Sequence, residues 1–155
     1  MIIFDDEYFM RRALAQAENA ARMGEVPVGA VAVRNGVIIA SAFNQVETLK
    51  DATAHAEILA ITQAAAVQKD WRLDAVDIYV TKEPCAMCAG AMVNSRVNRV
   101  IFGMPDPRSG CAGSAIDITG FKGMLHNVEV KSSVLEDECR ILIQKFFRDV
   151  RNKHQ

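Results

Sequence analysis

The chain has 155 residues and a formal net charge of −1, with 50% hydrophobic and 24% charged residues. This length supports one globular domain with its own core, and we expect residues 1–155 to form it. The balanced composition excludes a disordered chain and a protein coated in basic charge, although the sum would hide a local basic patch.

The chain shows no targeting or membrane signal. Its first seven residues, Met-Ile-Ile-Phe-Asp-Asp-Glu, are acidic and lack the basic start and apolar run of a signal peptide. No apolar run approaches the roughly 18 residues that span a bilayer. Four cysteines, two of them in a metal-binding spacing, fit a reducing compartment better than a disulfide scaffold. We therefore expect a cytoplasmic protein in which Cys111 and Cys139 are unpaired.

The sequence predicts a first helix, a hairpin of two strands, and then strands that alternate with helices. An amphipathic helix is predicted over 5–23, and Asn35-Gly36 joins two apolar strands in a tight hairpin. The two strands of this hairpin are predicted at 28–33 and 37–42, followed by a polar loop at 43–52. After the loop come a helix at 55–66, a strand at 77–81, a helix at 84–94 and a strand at 99–102. An irregular stretch at 103–123, a strand at 128–132 and a helix at 135–151 complete the chain. This order predicts an α/β fold with a mixed sheet between helices.

Two short motifs carry metal-ligating residues: Pro84-Cys85-Ala86-Met87-Cys88, and upstream His55-Ala56-Glu57. Two cysteines three apart at the start of a helix can place both sulfurs on one side of its first turn, where the thiol pKa is lowered. His55 supplies a third ligand, and Glu57 is a nearby carboxylate rather than a fourth. Three protein ligands with an open position are typical of a catalytic zinc site.

The spacing of His55 and Glu57 restricts this geometry. On the side of a helix, residues two apart point about 200° away from each other. The two side chains converge only if the metal lies off the end of the helix. Thr53 is a plausible N-cap for this helix, and Pro84 starts the second helix beside Cys85. We therefore predict two helix N-termini facing one zinc ion.

These motifs resemble the cytidine and adenosine deaminase superfamily. Longer segments resemble the bacterial tRNA-specific adenosine deaminases, from about residue 5 to about residue 150. They are Gly-Glu-Val-Pro-Val-Gly-Ala at 24–30, Asp-Ala-Thr-Ala-His-Ala-Glu-Ile at 51–58, Val-Thr-Lys-Glu-Pro-Cys-Ala-Met-Cys-Ala-Gly-Ala-Met at 80–92 and Arg-Val-Ile-Phe-Gly at 99–103. The resemblance implies a three-layer α/β/α cytidine-deaminase-like fold with a five-stranded mixed sheet. It also implies a hydrolase that converts adenosine to inosine at the wobble position of tRNA anticodons.

The chemistry implied by the resemblance uses one zinc ion per subunit. Zinc brings the pKa of a bound water toward about 7, and Glu57 moves protons from that water to the ring nitrogen and the leaving amino group. One alternative is a structural zinc site completed by Cys111, Cys139, His126 or His154. That alternative leaves Glu57 without a role. The other alternative is that Glu57 is an ordinary surface residue of its helix.

The resemblance assigns three residues to the base. Asn44, eleven residues before His55, reads the purine edge, because an amide offers both a donor and an acceptor. Val28 forms part of the hydrophobic wall beside the base, and the backbone amide of Ala56 contacts it. Turn chemistry is the alternative for Asn44, and an ordinary core position is the alternative for Val28.

Further residues are candidates for contacts with the RNA outside the base pocket. In the loop at 106–110, the resemblance suggests a ribose contact for Asp106 and a phosphate contact for Arg108. Residues 140–155 hold five Lys or Arg and one Asp, a net charge of +4. Phe147 lies at the edge of the apolar stripe there, where it could stack on a base, and Arg148 follows it. The alternatives are plain turn chemistry for the loop and complementation of the helix dipole for the basic end.

Quaternary structure and two rival functions complete the expectations. The resemblance implies a homodimer that contacts the tRNA anticodon loop with both subunits, and Met92 and Val93 are candidates for its interface if they are exposed. A deaminase of free guanine, cytosine or another small base would share the zinc ligands and Glu57. A zinc-stabilised RNA-binding module without activity would share the ligands alone.

Overall fold

The computed structural model of this protein describes residues 4–154. Residues 1–3, the start of the stretch that argues against a signal peptide, and residue 155, the end of the basic terminus, lie outside the described residues. The helices are α1 (Asp6–Arg22), α2 (Val46–Leu49), α3 (Ala56–Gln68), α4 (Ala86–Asn94) and α5 (Glu136–Lys153). The strands are β1 (Gly29–Arg34), β2 (Val37–Phe43), β3 (Val76–Lys82), β4 (Arg99–Met104) and β5 (Glu129–Lys131).

The five strands form one mixed sheet in the order β2-β1-β3-β4-β5. Strand β1 is antiparallel to both β2 and β3, whereas β3, β4 and β5 run parallel. The hairpin between β1 and β2 turns at Asn35 and Gly36, with φ of 52° and 74°. Two consecutive positive φ angles are typical of the tight turn that Asn-Gly favours. The predicted mixed sheet is confirmed.

Alternating side chains of the strands pack against two helical layers, because successive residues of a strand point to opposite faces. Ala30 and Ala32 of β1 belong to a core that includes buried residues of α3 and α4. Val31 and Val33 belong to a second core with residues of α1 and α5. The three-layer α/β/α arrangement is therefore confirmed, with α3 and α4 on the face that carries the two ligand motifs.

The starts of the two ligand helices differ from the prediction. Thr53 is not the N-cap of α3, because its hydroxyl donates to the Asp51 carboxylate, and His55 occupies the cap position. Pro84 precedes Cys85, the N-cap of α4, and so lies two residues before the first helical residue, Ala86. His55 and Cys85 are therefore cap residues, whereas Glu57 and Cys88 lie inside the helices.

The predicted dimer residues are also placed differently. Met92 is fully buried and Val93 is 5% exposed in the core of the single chain, so neither presents an exposed interface. Their position follows from α4 packing on the sheet beside α3. Cys111 and Cys139 are buried free cysteines, as predicted. Within residues 4–154, no helix has both the length and the apolar character that crossing a membrane requires.

Candidate metal centre and active site

The metal-ligating motifs meet at the N-terminal ends of α3 and α4. His55 and Cys85 are the cap residues, with extended backbone conformations (φ −72°, ψ 152° and φ −75°, ψ 179°). A cap residue does not follow the helical rotation, so its side chain can share a site with a residue of the first turn. Glu57 and Cys88 lie in those first turns. This resolves the conflict between the spacing of His55 and Glu57 and a shared site.

The three ligand atoms are placed for a small cation. His55 Nδ1 lies 3.6 Å from Cys85 Sγ and 3.5 Å from Cys88 Sγ. In a tetrahedral site with Zn–S of about 2.3 Å and Zn–N of about 2.0 Å, the sulfur-to-nitrogen distance is about 3.5 Å. The donor set therefore fits zinc in both chemistry and spacing. Among residues 4–154, no other group of three or more His, Cys, Asp or Glu side chains could hold a metal.

The residues considered for a closed structural site lie elsewhere. Cys139 packs in the core between the sheet and α1, and Cys111 is absent from the ligand group. His126 donates from Nε2 to the Val97 carbonyl at 2.7 Å, and His154 is the exposed C-cap of α5. Within the described part of the chain, three side chains are placed to hold a metal here and no fourth joins them. This is the arrangement expected of a catalytic zinc site.

Hydrogen bonds among the three candidate ligands shift the pKa values of the two cysteines in opposite directions. Hydrogen bonds from Cys88 and His55 lower the pKa of Cys85 to about 3. The bond to Cys85, together with burial, raises the pKa of Cys88, and the same partner raises the pKa of His55. A thiolate is the form of cysteine that binds a metal.

Glu57 is a buried carboxyl group beside these ligands. Its side chain lines the same cavity, although the residue is only 4% exposed. Burial raises the pKa of Glu57 to about 7 against the opposing effects of its own backbone amide and the charge of His55. A carboxyl group with a pKa near neutrality can both accept and donate a proton, as an acid-base catalyst must.

A cavity of about 500 Å³ opens beside the ligands. Four of the predicted substrate contacts line it: Val28, Asn44, Ala56 and Asp106. The other three, Arg108, Phe147 and Arg148, are exposed and are absent from its lining. The structure therefore brings the base-contacting candidates together, and the outer RNA contacts stay predictions.

Asn44 serves the loop that forms one wall of the cavity. Its Nδ2 donates to the Val26 carbonyl at 3.2 Å, and its Oδ1 accepts from the Val46 amide at 3.4 Å. These bonds use one of its two donors and one of its two acceptor positions. The turn chemistry considered for Asn44 is thus present, and the amide retains groups for a base in the cavity it lines.

Asp106 also has a local role. Its Oδ1 accepts from the amides of Arg108 and Ser109 at 3.1 and 3.2 Å, and its Oδ2 lies 3.3 Å from Lys82 Nζ. Burial alone would raise the pKa of Asp106, but these two amides and the lysine lower it. The carboxylate is therefore charged, fixed in direction and adjacent to the cavity.

Sequence reasoning gave Glu83 no role, although it organises the opposite wall. Its carboxylate, 3% exposed, accepts from the amides of Asp106 at 2.9 Å, Ala112 at 3.1 Å and Ser114 at 3.1 Å, and from the Ser114 hydroxyl. A Cβ at Gly110 would lie 2.3 Å from Glu83 Cδ, so the loop approaches this carboxylate more closely than a side chain allows. This buried carboxylate thus anchors the first part of the irregular segment after β4, residues 106–114, beside the cavity.

Glu25 does the same for the loop after β2. It is 1% exposed, and its carboxylate accepts from the amides of Glu47 at 3.1 Å and Thr48 at 2.6 Å and from the Thr48 hydroxyl at 2.6 Å. These bonds lower its pKa despite burial and cap the short helix α2, which the polar loop prediction missed. A single acidic residue next to apolar or turn residues is the sequence pattern that could have indicated a buried role for Glu25 and for Glu83.

The C-terminal helix reaches the cavity through Phe146. Phe146 and Val150 line the cavity, whereas the predicted stacking residue Phe147 is 42% exposed and contacts the Phe146 ring edge-to-face at a centroid distance of 5.4 Å. Phe146 is half-buried and is the aromatic residue of α5 that lines the cavity.

The fold and the three-ligand group define a protein of the deaminase class. A family model described as MafB19-like deaminase matches residues 4–151. A solved structure from a study of A-to-I editing by tRNA:A34 deaminases at the wobble position of transfer RNA superposes with a TM-score of 0.84 at 38% identity, covering 87% of this chain and 98% of that one. A guanine deaminase from Nitrosomonas europaea shares the fold, with a TM-score of 0.81 at 22% identity, covering 94% of this chain and 86% of that one.

Sequence relatives narrow the class. The tRNA-specific adenosine deaminase of Bacillus subtilis is 47% identical over 148 residues, covering 96% of this chain and 92% of the relative. That of Aquifex aeolicus is 44% identical over 146 residues, covering 94% and 96%. The chain belongs to the tRNA-specific adenosine deaminase family.

Proposed function

We propose that this chain, as one deaminase domain, hydrolyses adenosine to inosine and ammonia at the wobble position of tRNA anticodons, with zinc as its cofactor. The observation that carries the proposal is the convergence of His55, Cys85 and Cys88 with the buried Glu57 at one cavity. The family relationship supports the RNA substrate.

The proposed mechanism divides the work between the cofactor and the chain. Zinc held by His55, Cys85 and Cys88 would supply activation of a water molecule by lowering its pKa. Glu57 accepts a proton from this water while the water oxygen bonds to carbon 6 of the purine. Glu57 gives this proton to ring nitrogen 1, then takes the proton of the new hydroxyl group on carbon 6 and passes it to the amino group. The C–N bond breaks as the C=O bond forms, and ammonia leaves. A carboxyl group suits this shuttle because one oxygen can accept and donate in turn.

The chain also positions the base. Asn44 lines the cavity and keeps one donor and one acceptor position unused by its bonds to Val26 and Val46. The Ala56 amide lies at the start of α3 beside the ligands. Val28 adds an apolar wall. A single-stranded anticodon loop can present an unstacked base to such a cavity. Charged and aromatic residues outside it are proposed to hold the flanking RNA: Asp106, Arg108, Phe147 and Arg148.

The test is turnover of an anticodon stem-loop with adenosine at the first anticodon position, beside free guanine, cytosine and adenine. We expect inosine in the RNA and an equal amount of ammonia, loss of both after zinc is removed by a chelator, and recovery when zinc is returned. Turnover of guanine with none of the RNA would instead identify a nucleobase deaminase. RNA binding without turnover by the zinc-loaded chain would identify a binding module.

Assembly and location follow as parts of the proposal. We propose a homodimer whose two subunits both contact the tRNA, and a cytoplasmic site of action because tRNA modification takes place there. With Met92 and Val93 buried, the interface must use other residues. Sedimentation of the chain at several concentrations, alone and with the stem-loop, measures the number of copies. A monomer in the RNA complex would contradict the dimer.

A further inference from the structure

Lys82 occupies a fixed position at the rim of the cavity. It is the last residue of the central strand β3, where it pairs in parallel register with Met104 of β4. It precedes Cys85 by three residues and lines the same cavity as the ligands. The backbone that carries Lys82 is therefore held by the sheet, and its side chain is 35% exposed.

The cavity has an uneven charge distribution. Five carboxylates line it, from Glu25, Glu47, Glu57, Glu83 and Asp106. Among the described residues of its lining, Lys82 is the single lysine or arginine. Like charges repel across a partly desolvated site, so this predominance of acidic side chains opposes the entry of an anionic RNA backbone. A substrate that brings phosphates to this cavity needs a cation there.

The ammonium group of Lys82 is paired with Asp106 and keeps N–H donors that this pair does not use. Its Nζ lies 3.3 Å from Asp106 Oδ2, and the other oxygen of Asp106 is held by two backbone amides. An ammonium carries three N–H donors, and this pair uses one of them. The remaining donors suit the non-bridging oxygens of a phosphate, which lysine binds as a point charge.

We propose that Lys82 binds a phosphate adjacent to the reacting adenosine and so favours nucleotides within RNA over free bases. This inference rests on the proposed function and adds a substrate-specificity residue to it. Asp106 acts as the positioning partner that keeps the ammonium directed into the cavity. The zinc ligands and Glu57 carry out the chemistry without Lys82, so its contribution falls on binding.

The experiment pairs Lys82→Met, which keeps the length and removes the charge, with stem-loops in which one of the two phosphates flanking the adenosine is a neutral methylphosphonate. On normal RNA, Lys82→Met should lower kcat/KM about tenfold, mainly through KM, the effect of one hydrogen bond to a charged group. On RNA neutralised at the contacted phosphate, the wild-type chain and Lys82→Met should be equal. Lys82→Arg should retain most of the wild-type value.

Controls separate this role from a structural one. Lys122→Met removes a lysine that is exposed and outside the cavity lining, and it should leave kcat/KM unchanged. Loss of one phosphate contact should also reduce the slope of log binding constant against log salt concentration by about 0.7.

Equal activity of Lys82→Met and the wild-type chain would overturn the inference, as would the same loss of activity on every RNA. A wild-type chain that deaminates no stem-loop would overturn both the proposed function and this inference, whereas an active wild-type chain with an unaffected Lys82→Met overturns the inference alone.

Discussion

Two buried glutamates face the same cavity from different elements. Glu57 in the first turn of α3 is 4% exposed, and Glu83 after β3 is 3% exposed. Glu83 accepts four hydrogen bonds from one loop, three of them from backbone amides. Glu57 lies instead beside the metal-ligating residues, where burial raises its pKa to about 7. One carboxylate is saturated by hydrogen bonds within the protein, and the other lies beside the proposed reaction centre.

The difference shows that burial of a charge does not by itself identify a catalytic group. A buried charge held by several amides stabilises a loop, because the amides replace the water it lost. A buried carboxyl group with a shifted pKa near metal-ligating residues is a candidate for catalysis. The two roles make different predictions for the same substitution of Glu by Gln.

The largest effect is expected at Glu57. Glu57→Gln keeps the shape and removes the proton-transferring oxygen, so kcat should fall by about 10²–10⁴-fold, the usual contribution of general acid-base catalysis. Zinc content and melting temperature should stay close to those of the wild-type chain. Glu7→Gln, at an exposed position of α1, is the matched control. Full activity of Glu57→Gln would remove the proposed mechanism.

Glu83→Gln should affect stability and binding instead of chemistry. The amide replaces one acceptor with a donor that faces backbone N–H groups, so we expect a loss of about 2–4 kcal/mol in the free energy of unfolding. Because the anchored loop carries Asp106, KM for the stem-loop should rise more than kcat falls. Urea unfolding and steady-state kinetics measure the two effects. A stable variant with wild-type KM would show that this carboxylate does not hold the loop.

Gly110→Ala tests the same contact from the other side. The added Cβ would lie 2.3 Å from Glu83 Cδ and 2.5 Å from the Asp106 carbonyl oxygen, so the loop must shift. We expect a loss of about 2–3 kcal/mol in unfolding free energy, within the range for overpacked sites, and a rise in KM. At Gly90, an added Cβ meets no atom within 4 Å, so Gly90→Ala is a comparison without a clash. Equal stability of the two variants would contradict the close approach.

A third carboxylate, that of Asp6, should have a smaller effect on the free energy of unfolding. Asp6 lies outside the cavity lining and accepts from Tyr79 at 2.6 Å, Arg99 at 3.2 Å and Lys131 at 2.7 Å. Burial opposes ionisation, but these partners lower the pKa of Asp6 to about 2. Asp6→Asn should therefore lose about 1–2 kcal/mol of unfolding free energy at neutral pH.

The stabilisation by Asp6 should decrease as the pH falls. A lowered pKa in the folded state contributes stability that is complete above the unfolded pKa of 3.8 and is lost as the pH falls toward 2. The difference in stability between the wild-type chain and Asp6→Asn should thus shrink between about pH 5 and pH 2. Urea midpoints across this range measure it. A difference that stays constant would show that the charge of Asp6 is not responsible.

The grouping of the candidate metal-ligating residues was predictable because their spacing is local. Two cysteines three apart, and a histidine two residues before a glutamate, restrict the geometry to helix ends, and the structure brings the predicted ligands together there. The sheet was predictable for the same reason, since each strand and the Asn35-Gly36 turn has its own local pattern. The cap positions were displaced by one or two residues, which local patterns do not determine.

The walls of the cavity depend on contacts between distant segments. Helix α2 forms because Glu25, more than twenty residues away, accepts from its amides. The loop after β4 depends on Glu83 in the same way. Such contacts leave no period in a sequence. The burial of Met92 and Val93 was also not predictable, because α4 has no polar residue before Asn94 that would indicate its exposed face.

The most direct test is single-turnover deamination of a saturating anticodon stem-loop by Glu57→Gln and Glu83→Gln, measured as inosine released by nuclease digestion. Saturation removes differences in binding and leaves the chemical step. We expect Glu83→Gln to recover a rate within about threefold of the wild-type chain, while Glu57→Gln stays at about 1% or less, as expected for loss of an acid-base catalyst. Equal rates for the two variants, or a fast Glu57→Gln, would contradict it.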